Sequence, residues 1–105
     1  MRSKYGNTRS WSELCRREFD SKAERRRGED LHLLELAGEI TDLEYQPLWI
    51  LSTDPKVSYT ADFSYQTGGR DIVEDVKGVM TDASRVRIAW LKQRHGVTVT
   101  VIRDG

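Results

Sequence analysis

Apolar side chains recur at three- and four-residue intervals in two stretches of this sequence, and that spacing predicts amphipathic helices. The first helix begins at "FDSKAE", where Asp20 or Ser21 can be the N-cap, and ends at Gly38. The second occupies "TDASRVRIAWLKQRHG", which opens on the capping pair "TD" and stops at Gly96. The sequence therefore predicts two helices separated by a stretch of a different pattern.

Four stretches show the alternating or β-branched pattern that is typical of strands. Residues 43–51 contain Pro47, which favours a sheet edge or a bulge. Two further strands are expected at residues 70–78 and 97–103. The stretch 56–66 alternates strictly, which places five apolar residues on one face: Val57, Tyr59, Ala61, Phe63 and Tyr65. The predicted order is α-β-β-β-α-β, an α/β chain of the α+β type.

A Gly-Gly pair in "QTGGRD" predicts a two-residue hairpin turn between the second and third strands, because both turn positions can require positive φ. With these glycines as the turn, Asp62 lies directly opposite Asp75, and Thr60 lies opposite Lys77. A slip of one residue would place Asp62 opposite a neighbour of Asp75 instead. The predicted hairpin therefore brings two acids together from opposite sides of a turn.

The third strand, "RDIVEDVKG", has its charged residues on both faces. Its period of two puts Asp75 and Lys77 on one face and Ile72, Glu74 and Val76 on the other. Two carboxylates that face each other across a ladder are destabilising unless something neutralises them. A divalent cation such as Mg²⁺ would do so, and Lys77 could counter the charge or stabilise an oxyanion. A solvent-facing hairpin whose acids pair with Lys or Arg is the alternative.

A third acid lies on the first helix. Glu24, Gly28, Leu31 and Glu35 follow one another along a single helical stripe. Glu24 can therefore point towards the sheet, or it can serve only as the acid of a capping box.

Composition limits the class of protein. The chain has 105 residues, of which 37% are hydrophobic and 32% charged, which suits one domain with a modest core. It has a single cysteine, which excludes an internal disulfide and a cysteine-based zinc site. We expect a basic, flexible arm at residues 1–18 and a single domain at 19–105. There is no apolar stretch of membrane-spanning length and no secretory leader pattern, so a cytoplasmic protein is expected.

The formal charge of zero conceals three blocks of charge. Residues 1–27 carry nine Lys or Arg and four Asp or Glu. Residues 28–75 carry two basic and eleven acidic residues, and residues 76–105 carry six basic and two acidic residues. Basic ends around an acidic middle suit a protein that holds a polyanion and gathers carboxylates at one place. A mixed, solvated surface is the alternative.

Taken together, "YTADFSY", "VEDVKG" and "FDSKAE" resemble the PD-(D/E)xK nuclease superfamily, with Asp62 as the first acid and Asp75-Val76-Lys77 as the (D/E)xK triplet. The nearest resemblance is to small phage and prophage proteins that share "RSKYGN" and most later motifs. It implies a restriction-endonuclease-like core, with a mixed sheet flanked by helices. It also implies an enzyme that cleaves DNA with Mg²⁺ or Mn²⁺, related to Holliday-junction resolvases and VRR-type nucleases.

The resemblance also implies roles for single residues. Asp62, Asp75 and Glu24 would bind the metal ion, Lys77 would position the attacking water, and Gln46 would line the site. A Glu74-x-x-Lys77 spacing is a second way to read the motif, although strand alternation favours Asp75. Eight basic residues are expected to hold DNA phosphates: Arg2, Lys4, Arg9, Arg16, Arg17, Arg85, Arg87 and Lys92.

The small size of the chain leaves no room for a separate recognition domain, which favours selection of duplex or branched DNA by its shape, or action as a homodimer. Two rival functions remain open at this point. One is a non-catalytic DNA-binding module on a nuclease fold, and the other is a phage protein that blocks a host factor through its acidic middle. Arg25, Arg26 and Arg27 spread around the first helix, and solvation is their simplest role.

Overall fold

The structure is a computed structural model that describes residues 8–104. Within this range the chain forms two helices, α1 and α2, and eight strands, β1 to β8. In chain order they are β1 (Ser10–Ser12), β2 (Arg17–Phe19), α1 (Lys22–Leu36), β3 (Thr41–Tyr45), β4 (Leu48–Thr53), β5 (Lys56–Thr60), β6 (Phe63–Thr67), β7 (Arg70–Lys77), α2 (Asp82–His95) and β8 (Val99–Arg103). No helix in residues 8–104 has the length and apolar character needed to cross a membrane.

The main sheet has four strands in the order β3-β6-β7-β8. The β3–β6 and β6–β7 pairs are antiparallel, and the β7–β8 pair is parallel, so the sheet is mixed. Strand β7 is central, with a hydrogen-bonded neighbour on each side. A second pair, β4–β5, forms a separate antiparallel ribbon.

The two helices cover opposite faces of this sheet, and each face has its own core. The core under α1 contains Phe19, Leu31, Ile40, Phe63 and Tyr65. The core under α2 contains Leu51, Tyr59, Ala61, Val73 and Leu91. The predicted fold class, an α+β protein with a mixed sheet flanked by helices, is confirmed.

Both helices begin and end at the predicted residues. The hydroxyl of Ser21 accepts the Glu24 backbone N–H at 3.1 Å, and Gly38 follows α1 with a φ of 81°. Thr81 is the N-cap of α2, and Gly96 closes that helix in the left-handed conformation. Local capping chemistry therefore determines the helix boundaries.

The stretches 43–51 and 56–66, predicted as two simple strands, form one long hairpin that bends in the middle. Beyond the bend β4 pairs with β5, and before it β3 pairs with β6. At the bend, Gln46 donates its N–H to the carbonyl of Asp62 at 3.0 Å, and Ala61 donates to the carbonyl of Pro47 at 3.0 Å. Gln46 takes a φ of 55°, so the extended conformation is interrupted there.

This bend corrects the predicted face of residues 56–66. Tyr59 and Ala61 face α2, whereas Phe63 and Tyr65 face α1. Alternation with a period of two assumes a straight strand, and the break between β5 and β6 exchanges the two faces. The single apolar face predicted from the sequence was therefore wrong.

The β6–β7 register agrees with the prediction. Gly68 and Gly69 have φ of 57° and 77°, and the ladder pairs Thr67 with Arg70 and continues to the pair of Phe63 with Glu74. The ladder ends there, because the bend begins at the next residue. Thr60, predicted opposite Lys77, instead pairs with Leu48 in the β4–β5 ribbon.

The described part of the predicted arm is structured. Strands β1 and β2 pair antiparallel and pack on α1. Arg25 Nε donates to Ser10 Oγ at 2.7 Å, and Ser12 Oγ donates to a Glu29 carboxylate oxygen at 2.6 Å. Residues 1–7 of the predicted arm lie outside the described residues. The element order therefore differs from the predicted one, since β1 and β2 precede α1 and the bend divides two strands.

Gly28 marks the closest approach of α1 to the core. A Cβ at this position would lie 2.7 Å from the Phe19 ring and 3.3 Å from the Phe63 ring. Both rings are buried, so neither can move without repacking.

We expect Gly28→Ala to lower the free energy of unfolding by roughly 1–2 kcal/mol, because the overpacking cost exceeds the helical gain of alanine. Urea titration followed by circular dichroism measures it. Gly78→Ala is the matched control, since a Cβ there meets no atom within 4 Å, and it should change stability by less than about 0.5 kcal/mol. A Gly28→Ala protein as stable as the wild type would show that the core under α1 is loosely packed.

Candidate functional site

Asp62 lies at the bend between β5 and β6 and is bonded to β7 through both its backbone and its side chain. Its N–H donates to the carbonyl of Glu74 at 3.1 Å and to Asp75 Oδ1 at 2.9 Å. Its own Oδ2 accepts the N–H of Val76 at 2.7 Å. The two acids predicted to meet across the hairpin are therefore brought together, although they lie just beyond the regular ladder.

Asp75 is the most buried member of this group, with 2% of its surface exposed. Its Oδ2 accepts a hydrogen bond from the Tyr59 hydroxyl and lies 3.7 Å from Lys77 Nζ. The face of β7 that carries Asp75 and Lys77 is the one that the strand alternation predicted. The structure thus gathers an aspartate, a lysine and a second aspartate at one end of the sheet.

Glu74 belongs to the opposite face of β7. Arg27 of α1 binds it through two hydrogen bonds, at 2.8 Å from Nε and 2.7 Å from Nη2, and the Tyr65 hydroxyl donates to it as well. Because its carboxylate is held under α1, Glu74 cannot take the place of Asp75 beside Lys77. Lys77 therefore lies beside Asp75 and not beside Glu74, so the Glu74-x-x-Lys77 reading of the motif is wrong. The solvated role expected for Arg27 is also wrong, because this arginine binds Glu74.

Glu24 is turned inward from the first turn of α1, with 6% of its surface exposed. Burial above all, together with the charges of Asp62, Asp20 and Asp75, raises its pKa to about 8, against the opposing charge of Arg17. Glu24 occupies the third helical position after the N-cap, but its carboxyl group is also close enough to respond to the two aspartates. The helical acid therefore belongs to the same electrostatic group.

Asp62 also holds its proton more strongly than a free aspartate. Burial and, after it, the charge of Asp75 raise its pKa to about 6. The hydrogen bond from the Val76 N–H and the charge of Lys77 oppose this rise. Three acids thus share a poorly solvated region, in which Lys77 acts on Asp62 and Asp75 and Arg17 acts on Glu24. Such a group is short of positive charge, which is the condition that a divalent cation relieves.

The oxygens of Asp62, Asp75 and Glu24 are the hard ligands that Mg²⁺ and Mn²⁺ prefer, so the donor set fits such an ion. Among residues 8–104, however, no group of three or more His, Cys, Asp or Glu side chains is already gathered in a geometry that could hold a metal ion. Side-chain rotation, above all of Glu24, would be needed to complete a ligand set.

Gln46 contributes to this region through its backbone, which donates to Asp62, while its exposed side chain borders a neighbouring groove. The groove has a volume of about 600 Å³ and runs along the bend. Its lining includes Arg17, Tyr45, Pro47 and Trp49.

The predicted phosphate-binding residues are dispersed. Arg9 pairs with Glu18 at 3.1 Å and Asp20 at 3.0 Å, whereas Arg17 stacks over the Tyr45 ring. The remaining four described ones are exposed, and Arg2 and Lys4 fall outside the described residues. The exposed group is Arg16, Arg85, Arg87 and Lys92.

Sequence analysis missed two residues that hold the acids, Tyr59 and Arg27. Tyr59 precedes Ala61 by two residues in "SYTADF". Its hydroxyl reaches Asp75 because the bend puts β5 on the α2 side of the sheet, which the sequence pattern did not indicate. Arg27 lies one turn after Glu24 on α1, and a bidentate partner 47 residues away leaves no local signal.

The raised pKa values of Glu24 and Asp62 predict how stability depends on pH. Both groups keep a proton in the folded state at pH values where the unfolded chain has released it, so their contribution is complete below pH 4 and is lost as pH rises towards about 8. We expect Glu24→Gln to be more stable than the wild type at pH 9 by roughly 1–3 kcal/mol, and nearly equal at pH 4.

Urea titrations at a series of pH values measure this effect, with Glu39→Gln, an exposed glutamate, as the control that should follow the wild-type curve. Parallel curves for Glu24→Gln and the wild type would contradict the burial of an unneutralised carboxyl group at this position.

Comparison with known proteins adds one finding. Searches found no match among curated proteins and none among solved structures. Residues 2–102 match a protein family that is described as "Protein of unknown function (DUF1064)". Since this match includes both helices and all of the candidate acids, the chain belongs to the DUF1064 family.

Proposed function

We propose that this protein is a metal-dependent deoxyribonuclease of the PD-(D/E)xK type, an endonuclease that hydrolyses phosphodiester bonds in the cytoplasm of its host cell. The observation that carries the proposal is the placement of Lys77 3.7 Å from Asp75, which in turn accepts the N–H of Asp62. The mixed sheet around β7 is compatible with a restriction-endonuclease-like core.

The carboxylates of Asp62 and Asp75, with Glu24 rotated towards them, would hold the metal ion. When bound, a divalent cation lowers the pKa of water and polarises a phosphoryl oxygen. Lys77 lies on the rim of the same carboxylates with its side chain a quarter exposed, so its ammonium group can orient a water molecule or balance charge on the phosphate. Burial of Asp75 strengthens each of these electrostatic interactions.

A metal ion would also relieve the repulsion within the group. The charges of Asp62 and Asp75 raise the pKa of Glu24, and the charge of Asp75 raises the pKa of Asp62, whereas a bound cation would favour ionised carboxylates. Metal binding should therefore release protons and stabilise the fold.

A non-catalytic function, in binding either DNA or a host factor, is the second candidate. It is favoured by the hydrogen bonds that already engage both oxygens of Asp75, from Tyr59 and from the Asp62 N–H. Only the nuclease requires Mg²⁺ or Mn²⁺ for its effect on DNA, so metal dependence distinguishes the two.

We expect the wild-type protein to cut DNA in Mg²⁺ or Mn²⁺ and not in EDTA, and we expect Asp75→Asn and Lys77→Met each to lower the rate at least about 100-fold. Supercoiled plasmid, linear duplex, flap and four-way junction DNA should be compared, because the preferred substrate would show whether cutting depends on branching. Gel filtration of the same samples tests for a homodimer.

Arg70→Gln is the control for the cleavage assay, since this exposed arginine at the β6–β7 turn is remote from the acids, and it should retain wild-type cutting. Circular dichroism must show both inactive variants folded. Metal-independent cutting, or full activity in folded Lys77→Met, would contradict the proposed mechanism.

Tyr59→Phe tests the group that holds Asp75. Loss of the hydroxyl removes a donor from Asp75 Oδ2 and leaves the ring packing on Trp49 intact. Because partners behind a metal ligand typically contribute 10- to 100-fold, we expect metal affinity or the cutting rate to fall by about tenfold or more. Titration of the cutting rate with Mn²⁺ separates the two effects, and an unchanged titration curve would show that Tyr59 only fills space.

A further inference from the structure

A groove of about 600 Å³ lies beside the bend, and the proposed chemistry does not use it. It lies beside Asp62, because Gln46, which lines it, donates its N–H to the Asp62 carbonyl. A volume of this size suits a small organic group and cannot admit a double helix. Whatever occupies the groove would therefore lie next to Asp62 as a single strand or a single residue.

Arg17 supplies a fixed positive charge at this groove. Its guanidinium carbon lies 4.1 Å from the Tyr45 ring centre and 5.4 Å from that of Phe19, so contacts with two aromatic rings fix the position of the guanidinium group. Its Nε is buried without a hydrogen-bond partner in the described structure. Because Arg17 also lines the groove, a guanidinium whose position is determined by stacking can bind a phosphate group there.

The rest of the lining restricts how much phosphate the groove accepts. Glu44, also on the lining, would repel a second phosphate, while its carboxylate can accept from the amino group of a base. Trp49, which is half-buried, offers an aromatic surface for stacking. The groove thus provides for one phosphate and one base, and not for a continuous run of backbone.

We propose that this groove binds one unpaired nucleotide of a DNA strand, with its phosphate on Arg17 and its base against Trp49 and Glu44. The inference rests on the proposed function for the identity of the ligand as DNA. It adds that the substrate has at least one unpaired nucleotide beside the phosphodiester bond at Asp62 and Asp75. Forks, gaps and single-stranded overhangs meet this requirement, and blunt duplex does not.

The test is a binding experiment in EDTA, where no cutting takes place. Fluorescence anisotropy of labelled DNA should show that the wild type binds a duplex with a short single-stranded gap about tenfold more tightly than a blunt duplex of the same length. Arg17→Gln and Trp49→Leu, which lie on different strands, should each abolish most of this difference. The quantity compared is the ratio of the two affinities within each variant, and Arg70→Gln should keep the wild-type ratio.

2-Aminopurine at the unpaired position reports stacking directly. Its fluorescence should be quenched by the wild type and not by Trp49→Leu, provided that thermal denaturation shows the variant folded. Equal affinity for gapped and blunt DNA, or a preference for gapped DNA that survives in folded Arg17→Gln, would overturn the proposal. Displacement of gapped DNA by an equal concentration of deoxycytidine monophosphate would also overturn it, since the ligand would then be a free nucleotide.

These results are independent of cleavage. If the protein prefers gapped DNA through Arg17 but never cuts, the proposed nucleotide site is supported and the proposed nuclease activity is contradicted. If the protein cuts with Mg²⁺ but binds blunt and gapped DNA equally, the proposed nuclease activity is supported and the proposed nucleotide site is contradicted.

Discussion

The attachment of Asp62 to β7 is the interaction on which the site and much of the fold depend. The long hairpin leaves the main sheet at this residue, and the ladder of hydrogen bonds would end there without a replacement. Asp62 supplies one, since its N–H binds β7 at Glu74 and Asp75 and its carboxylate accepts from Val76. A carboxylate that replaces ladder bonds is costly to remove, because a buried N–H would lose its partner. The candidate chemistry and the geometry of the bend therefore use the same atoms.

Strand β7 explains how a central strand can carry consecutive acids. Glu74 turns towards α1, where Arg27 binds it through two hydrogen bonds and removes its charge from the site. Asp75 turns towards α2 and has Lys77 as its nearest cation, at 3.7 Å. A buried pair joined by two hydrogen bonds has a structural role, since breaking it would leave an isolated buried charge. Asp75 has no such bidentate partner, and this difference separates the structural acid from the candidate functional one.

Short-range chemistry made part of this structure predictable. Gly68-Gly69 required positive φ, which determined the turn and hence the β6–β7 register, and the caps determined both helices. Pro47 indicated a sheet edge or a bulge in the first half of the long hairpin. The exchange of faces in the second half was not predictable, because alternation continues without a break through "YTADFSY" past Asp62. For the same reason the role of Tyr59 was missed. The Arg27–Glu74 pair was missed because it joins two elements far apart in sequence.

The electrostatic state of the acids bears on what the site can do. Glu24 and Asp62 have raised pKa values chiefly because burial disfavours their charged forms, and each is further raised by neighbouring acids. Such groups reduce the stability of the metal-free protein at neutral pH relative to acidic pH. A cation ligand would reverse the sign of that contribution by favouring ionisation. Arg17 lines the groove and its charge also acts on Glu24, so positive charge lies at the groove where a phosphate would enter.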